Sequence, residues 1–133
     1  MTVILDASAL VAYLLEEGSE GLTGILSAGV ESVELIFTES YNAILTAMRE
    51  KRVSPANARK LTKVISLLAE ANIRIHPQKD IIDRAFELGS VFGLTVYDGL
   101  YLALAEKLKG PIITFDGKQA NVAKQLGIEV AEF

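Results

Sequence analysis

The stretch that decides the fold is residues 2–10, Thr2-Val3-Ile4-Leu5-Asp6-Ala7-Ser8-Ala9-Leu10. An apolar, β-branched run is followed at once by an acid and small side chains. This order is typical of a buried parallel strand that leads directly into a helix. In open α/β sheets, ligands bind just beyond the carboxyl ends of the strands. Asp6 is therefore predicted to lie at the edge where a site would form.

Length and composition indicate a single globular domain that spans residues 1–133. Half of the 133 residues are hydrophobic, which supports a sizeable core and argues against disorder. There is no cysteine, so disulfides and thiolate metal ligands are excluded. No apolar stretch reaches the roughly 18 residues of a membrane span, and Met1 precedes the first strand without a signal-peptide pattern. We expect a cytoplasmic protein that does not associate with a membrane.

The charge is distributed unevenly along the chain. The segment 49–79 holds eight basic and two acidic residues, whereas the rest of the chain holds five basic and 15 acidic residues. The overall net charge of −4 does not indicate a dedicated nucleic-acid binder. The middle third is nevertheless predicted to present a basic face.

Strands alternate with helices along the whole sequence, which predicts an α/β fold with a parallel sheet of about five strands and helices on both faces. Helix starts are marked by N-cap residues, such as Ser54 before Pro55 and Thr38 before a helix that runs to about Arg52. The predicted strands are Thr2–Asp6, Glu34–Phe37, Ile73–Ile75, Pro111–Phe115 and Ile128–Val130.

Four acids share a placement near strand ends or helix starts: Asp6, Glu39, Asp98 and Asp116. Each has a structural alternative. Asp6 and Asp116 suit N-caps, Asp98 forms a T-x-x-D capping box with Thr95, and Glu39 in a first helical turn suits the helix dipole. Capping does not explain why four acids should share one rim. Crowded carboxylates repel one another, and a hard divalent cation relieves that repulsion, with oxygen ligands favouring Mg²⁺ or Mn²⁺ over zinc.

Other chemistries find little support in the sequence. His76 is the only histidine, and nothing pairs it with a nucleophile, so we interpret it as solvent-facing or structural. Ser8 has no apparent general base, and no nucleotide-binding glycine motif is present. Metal-bound carboxylates that act on a phosphodiester fit best.

Four blocks of the sequence carry a resemblance to a known family: Val3–Ala9, Thr38–Leu45, Val96–Ala105 and Ile113–Asp116. In sequence and in order they resemble the signature blocks of the PIN domain family, most closely its VapC-type toxins, and the resemblance covers essentially the whole chain. The resemblance implies a three-layer α/β/α sandwich and a metal-dependent ribonuclease. One departure is Gly99, since alanine is commoner after the aspartate.

The resemblance also implies roles for individual residues. Asp6 and Asp98 match the principal metal ligands, and Asp116 matches a ligand that binds directly or through water. Glu39 would complete the shell or orient the attacking water. Three positions match residues that support the acids by hydrogen bonding, namely Ser8, Asn42 and Thr114.

The family resemblance implies partners as well: an RNA substrate, a small cognate antitoxin and a second copy in a homodimer. The basic middle segment is interpreted either as a surface that binds the phosphates of the RNA backbone or as an ordinary solvated helix face. The candidate RNA-binding residues are Arg49, Lys51, Arg52, Arg59, Lys60 and Lys63, and the three arginines are the primary candidates.

Two other functions are alternatives to a ribonuclease. A non-catalytic RNA- or protein-binding adaptor on the same fold would use the acids as caps or as a dormant metal site, and the intact set of four acids argues against it. A phosphoacceptor receiver domain needs an adjacent acidic pair after the first strand and a lysine after the last. Asp6 has no acidic neighbour, and the last predicted strand ends Val130-Ala131-Glu132, so this interpretation is disfavoured.

Overall fold

The computed structural model describes residues 2–132, in which short strands alternate with longer helices. The elements in chain order are β1 (Ile4–Leu5), α1 (Ala7–Leu14), α2 (Leu22–Ala28), β2 (Val30–Val33), α3 (Leu35–Arg49), α4 (Pro55–Ala71), β3 (Ile73–His76), α5 (Ile82–Phe92), α6 (Val96–Leu108), β4 (Ile112–Ile113) and α7 (Gly117–Gln125).

The sheet is parallel and has the strand order β3-β2-β1-β4. β1 lies between β2 and β4, and its two residues are fully buried. Leu5 is in register with Ile113, so the residues that follow, Asp6 and Thr114, leave the sheet side by side. This register creates the edge at which the candidate site forms.

The predicted α/β/α architecture is confirmed, but the sheet has four strands rather than about five. The predicted strand Ile128–Val130 is wrong, because only Val130 forms an isolated bridge to Ile112. The predicted strand Glu34–Phe37 is also wrong, because it forms the start of α3 and the preceding segment Val30–Val33 forms β2. The backbone N–H of Glu31 bonds to the carbonyl of Val3 at 2.8 Å, which anchors β2 at this position.

Helix α6 is the central helix of the core, with seven consecutive buried residues from Gly99 to Ala105. α5 packs against it closely, because a Cβ added at Gly99 would lie 2.5 Å from the carbonyl oxygen of Ala85. A two-pronged ion pair between Arg84 and Glu106 joins the same two helices at 2.7 and 2.9 Å. The first turn of α6, which carries Asp98, is thus held in a fixed position.

Within residues 2–132, no single helix is long and apolar enough to cross a membrane. α5 and α6 together meet the length and composition requirements only as a pair bent by 115°.

Candidate active site

Asp6 follows β1 and caps the N-terminus of α1, as the capping alternative predicts. Its side chain is 3% exposed and accepts four hydrogen bonds. Oδ1 accepts from the Ser8 hydroxyl (2.7 Å) and the Ala9 N–H (3.0 Å), and Oδ2 accepts from the Thr114 hydroxyl and Gln119 Nε2 (3.2 Å). Burial raises the pKa of Asp6, and the four donors partly offset that rise. The carboxylate is therefore fixed in orientation by groups from three separate segments of the chain.

Thr114 and Ser8 link Asp6 to the segment that carries Asp116. The Thr114 hydroxyl, which donates to Asp6, also accepts from the N–H of Asp116 at 3.0 Å. The Ser8 hydroxyl accepts from the N–H of Phe115 at 2.8 Å. Ser8 and Thr114, two of the three predicted supporting residues, thus bond both to Asp6 and to the backbone N–H groups of Phe115 and Asp116, respectively.

Asp116 caps α7, as the N-cap alternative predicts. Its Oδ1 accepts from the N–H groups of Lys118 (2.9 Å) and Gln119 (3.1 Å). These bonds use one carboxylate oxygen, and the residue is only partly buried. The second oxygen makes no hydrogen bond within residues 2–132, which suits a group that binds a ligand in addition to capping.

Glu39 lies in the second turn of α3, not in the first turn as predicted, because the helix begins at Leu35 rather than after Thr38. Its Oε1 accepts a 2.6 Å hydrogen bond from the Tyr101 hydroxyl. Burial raises the pKa of Glu39, and the negative charges of Asp98 and Asp6 raise it further. Glu39 therefore interacts with the other acids of the site rather than with the dipole at the N-terminus of α3.

Asp98 lies in the first turn of α6, where its N–H donates to the Thr95 hydroxyl at 3.1 Å. Burial raises the pKa of Asp98, and the charge of Asp116 raises it further. A hydrogen bond from Thr95 and the positive charge of Lys118 act in the opposite direction. Thr95 therefore caps α6, as the T-x-x-D spacing predicts, and the charge of a second carboxylate acts on Asp98.

The charges of the acids act on one another: those of Asp98 and Asp6 raise the pKa of Glu39, and that of Asp116 raises the pKa of Asp98. Their ligand atoms are all oxygen, which matches the preference of Mg²⁺ and Mn²⁺. No group of three or more acidic or histidine side chains within residues 2–132 is arranged so that it could hold a metal ion directly. The donor chemistry fits a hard cation, whereas binding it requires rearrangement of side chains.

Asn42 and the arginines lie apart from this hydrogen-bonded network. Asn42 is exposed on α3 and bonds to none of the acids in the described part of the chain; with Arg59 it lines a groove of about 700 Å³ between α3 and α4. Arg49 ends α3. Arg52 is held by Glu50 at 2.9 Å and lies 3.7 Å from Glu17. The roles of these residues in support and RNA binding stay predictions.

Sequence reasoning missed two buried residues of the site. Tyr101 lies on the buried face of α6, and its contact with Glu39 spans 62 positions. Gln119 is 1% exposed and donates to Asp6, while its Oε1 has no hydrogen-bond partner within residues 2–132. The sequence contains a faint signal for each, namely a phenol within the apolar run Leu100–Ala105 and an amide one turn after Asp116.

His76 is structural, in agreement with the sequence interpretation. Its Nε2 lies 2.7 Å from Oε1 of Glu31 on the neighbouring strand, and both side chains are partly buried.

A parallel α/β sheet with four acids at its carboxyl edge is the architecture that the resemblance implied. The family model described as the PIN domain matches residues 3–125. The chain belongs to the PIN domain family.

Two proteins of similar sequence are ribonucleases by name. Ribonuclease VapC3 of Pyrobaculum aerophilum is 31% identical over 124 residues, covering 91% of this chain and 94% of that protein. Ribonuclease VapC12 of Mycobacterium tuberculosis is 33% identical over 121 residues, covering 90% of each.

Solved structures share the fold at lower identity. PAE2754 from Pyrobaculum aerophilum has a TM-score of 0.70 and 23% identity, covering 91% of this chain and 83% of that one. VapC20 of Mycobacterium tuberculosis, described as a Sarcin-Ricin loop cleaving toxin, has a TM-score of 0.67 and 15% identity, covering 91% and 94%. A toxin–antitoxin complex from Klebsiella pneumoniae has a TM-score of 0.62 and 17% identity, covering 90% of each chain.

Proposed function

We propose that this protein is an endoribonuclease that hydrolyses RNA phosphodiester bonds, and that it is the toxin of a toxin–antitoxin pair. The observation that carries the proposal is the set of acids at the carboxyl edge of the sheet, in which Asp6 is held by Ser8, Thr114 and Gln119, and Glu39 is held by Tyr101. Its support is membership of the PIN family and similarity, over about 90% of the chain, to proteins named as VapC ribonucleases.

Mg²⁺ or Mn²⁺ is the proposed cofactor, held by Asp6, Asp98 and Asp116. The cation would supply the activation of a water molecule and neutralise the negative charge that develops on the phosphate. Its binding would also relieve the repulsion that raises the pKa of Asp98. Because Asp6 already accepts four hydrogen bonds, its coordination of a cation requires one of these donors to withdraw.

The other residues of the site orient the acids and the attacking water. Ser8 and Thr114 orient the Asp6 carboxylate, and Tyr101 fixes one oxygen of Glu39. The other oxygen of Glu39 is left to orient the attacking water. Attack by water would leave a 3′-hydroxyl and a 5′-phosphate.

An RNA cleavage assay on the purified protein tests this function, with Mg²⁺ and Mn²⁺ each compared with EDTA. Asp98→Asn is the matched variant, since it removes the charge at nearly constant shape. We expect cleavage that requires the cation and falls about 100- to 1,000-fold in the variant, the scale on which loss of electrostatic stabilisation acts. Cleavage that survives the substitution would point to a contaminating nuclease.

A second candidate function is a non-catalytic adaptor that binds RNA or protein. It is favoured by one observation: within residues 2–132 the acids are not arranged to hold a metal directly. RNA binding without cleavage under any cation, after removal of any bound antitoxin, would establish this alternative.

The proposed partners are RNA, a small antitoxin that blocks the acid site and a second copy of the chain, all in the cytoplasm. The Klebsiella pneumoniae neighbour is a toxin–antitoxin complex, which supports the antitoxin. Co-expression with the protein encoded by the adjacent gene and light scattering of the purified chain test the antitoxin and the homodimer, respectively.

A further inference from the structure

The side chain of Gln119 is an amide inside the candidate active site with only one of its two polar ends paired. It is 1% exposed, and its Nε2 donates to Oδ2 of Asp6 at 3.2 Å. Its Oε1 has no hydrogen-bond partner within residues 2–132. A buried polar atom without a partner costs stability, and such atoms are few in native proteins. An unpaired acceptor next to a carboxylate therefore points to a ligand at this position.

The backbone of Gln119 is fixed, so only its side chain can change its contacts. Gln119 is the third residue of α7, and its N–H donates to Oδ1 of Asp116 at 3.1 Å. One residue thus contacts two of the proposed cation ligands, Asp6 through its side chain and Asp116 through its backbone. The last side-chain torsion of a glutamine is broad and roughly two-fold, so rotation about it exchanges the nitrogen and oxygen ends while the helix stays in place.

Among the four donors to Asp6, Gln119 is the one that can withdraw. The N–H of Ala9 belongs to the first turn of α1 and cannot rotate away. The hydroxyls of Ser8 and Thr114 each accept a backbone N–H, at 2.8 and 3.0 Å, and these bonds hold both oxygens in place. The bond from Gln119 is the longest of the four, and its amide makes no second hydrogen bond in the described part of the chain.

A hard cation changes which end of the amide suits this position. A carboxylate oxygen attracts the N–H end of an amide and repels its carbonyl oxygen, in agreement with the orientation at Asp6. A divalent cation on the same carboxylate reverses this preference, because it repels the N–H groups and attracts the amide oxygen. Amide carbonyls also belong to the oxygen ligands that suit Mg²⁺ and Mn²⁺.

We propose that Gln119 is a cation-responsive residue of the site: its amide donates to Asp6 until a cation binds, and then turns Oε1 toward that cation. Oε1 serves as an oxygen ligand, directly or through a water molecule. The withdrawal of Nε2 frees Oδ2 of Asp6 for coordination. The inference deepens the proposed function and rests on it, since a cation at the acids is part of that function.

Side-chain NMR of the wild-type protein follows this amide without RNA or cleavage. The probe is Mg²⁺ alone, added to the ¹⁵N-labelled full chain after treatment with EDTA and dialysis. The N–H₂ signals of Gln119 are assigned by their absence in Gln119→Glu. We expect Mg²⁺ to move these proton signals upfield, because the hydrogen bond to the carboxylate is lost. The signals of Gln125, which is exposed at the end of α7, should not change.

The affinity for Mn²⁺ tests the contribution of Oε1. Electron paramagnetic resonance of free Mn²⁺ measures the Kd. Gln119→Leu removes Oε1 at similar size and should raise the Kd about 10- to 100-fold, the scale of a lost partner close to a metal. Gln119→Glu retains an oxygen here, so its Kd should not exceed that of the wild type. Gln125→Leu is the matched control on the same helix and should bind Mn²⁺ like the wild type.

The outcomes separate the inference from the function on which it rests. Urea unfolding in EDTA verifies that Gln119→Leu is folded, and the NMR result on the wild type stands without that variant. Wild-type Mn²⁺ affinity in folded Gln119→Leu would overturn the inference. Bound Mg²⁺ that leaves the Gln119 signals unchanged would do so as well, and is the result expected of a water held permanently by Oε1. Cation-dependent RNA cleavage beside either result would leave the proposed function intact, whereas a wild type that binds neither cation and cleaves no RNA would overturn both.

Discussion

The hydroxyl of Tyr101 donates a 2.6 Å hydrogen bond to the carboxylate of Glu39, and this bond joins the buried helix α6 to α3. Burial raises the pKa of Glu39, and the negative charges of Asp98 and Asp6 raise it further, so its ionised form is disfavoured. The phenol stabilises that form and restricts the carboxylate to one orientation.

Tyr101→Phe should lower kcat for RNA cleavage about tenfold with little change in KM, because the carboxylate loses its fixed orientation but no contact with RNA is removed. Steady-state kinetics on a short RNA measures both constants. Tyr41→Phe is the control, since its hydroxyl contacts Thr62 and Ser66 and touches no acid. Equal losses in the two variants would show that the effect is structural.

Asp98→Asn should stabilise the metal-free protein at neutral pH. The pKa of Asp98 is raised on folding, so its contribution to stability is present at acid pH and lost as the pH rises through the raised pKa. The variant lacks this charge, so the urea midpoints of the two proteins should differ at pH 7 and converge toward pH 4. A variant less stable than the wild type at pH 7 would contradict this electrostatic account.

Mg²⁺ or Mn²⁺ should stabilise the wild type by preferential binding to the folded state. A cation at about ten times its Kd adds roughly 1.4 kcal/mol, which corresponds to a rise of about 5 °C in Tm at this chain length. Thermal unfolding with and without EDTA measures the shift. The rise should be absent in Asp98→Asn, and an equal rise in that variant would place the cation elsewhere.

Gly99→Ala should destabilise the fold by about 1–3 kcal/mol, although alanine is the commoner residue here in the family. The added Cβ would lie 2.5 Å from the carbonyl oxygen of Ala85, so α5 must move away from α6. Gly24→Ala is the matched control in α2, where a Cβ meets nothing within 4 Å, and it should stabilise by about 0.5–1 kcal/mol. Urea unfolding of the two variants should therefore shift in opposite directions.

Arg49→Gln and Arg59→Gln should each weaken RNA binding and reduce its salt dependence, by about 0.7 in the slope of log K against log salt for each lost phosphate contact. Arg52→Gln should have a smaller effect, because Arg52 is already engaged by Glu50 and lies near Glu17. Binding isotherms across a salt series provide the test. Slopes that do not change would favour the solvated-face interpretation of these arginines.

The parts of the fold that depend on local chemistry were predictable from the sequence. The caps at Asp6, Ser54, Thr95 and Asp116 form between residues two or three positions apart, so their spacing alone reveals them. Because each of these residues marks the start of a helix, they also predicted the order in which helices and strands alternate. The positions of the acids after predicted strands and at a helix start then predicted that they share one edge.

The incorrect and missed predictions concern features that depend on contacts between residues far apart in the sequence. Val30–Val33 and Glu34–Phe37 are both short runs able to form a strand, and pairing with β1 selects the first. The Ser32 hydroxyl also bonds to the carbonyl of Leu5, 27 positions away. The bonds from Tyr101 to Glu39 and from Gln119 to Asp6 span still longer separations, so spacing along the chain could not reveal them.

The register of β1 with β4 has a consequence for the synthesis of the protein. Asp6 is translated well before two of the side chains that orient it, Thr114 and Gln119, which lie 108 and 113 positions further along the chain. A growing or truncated chain that stops before β4 has neither a completed sheet nor an oriented first acid. On the proposed function, a ribosome that makes this protein is therefore not exposed to its activity until β4 and the start of α7 have been synthesised.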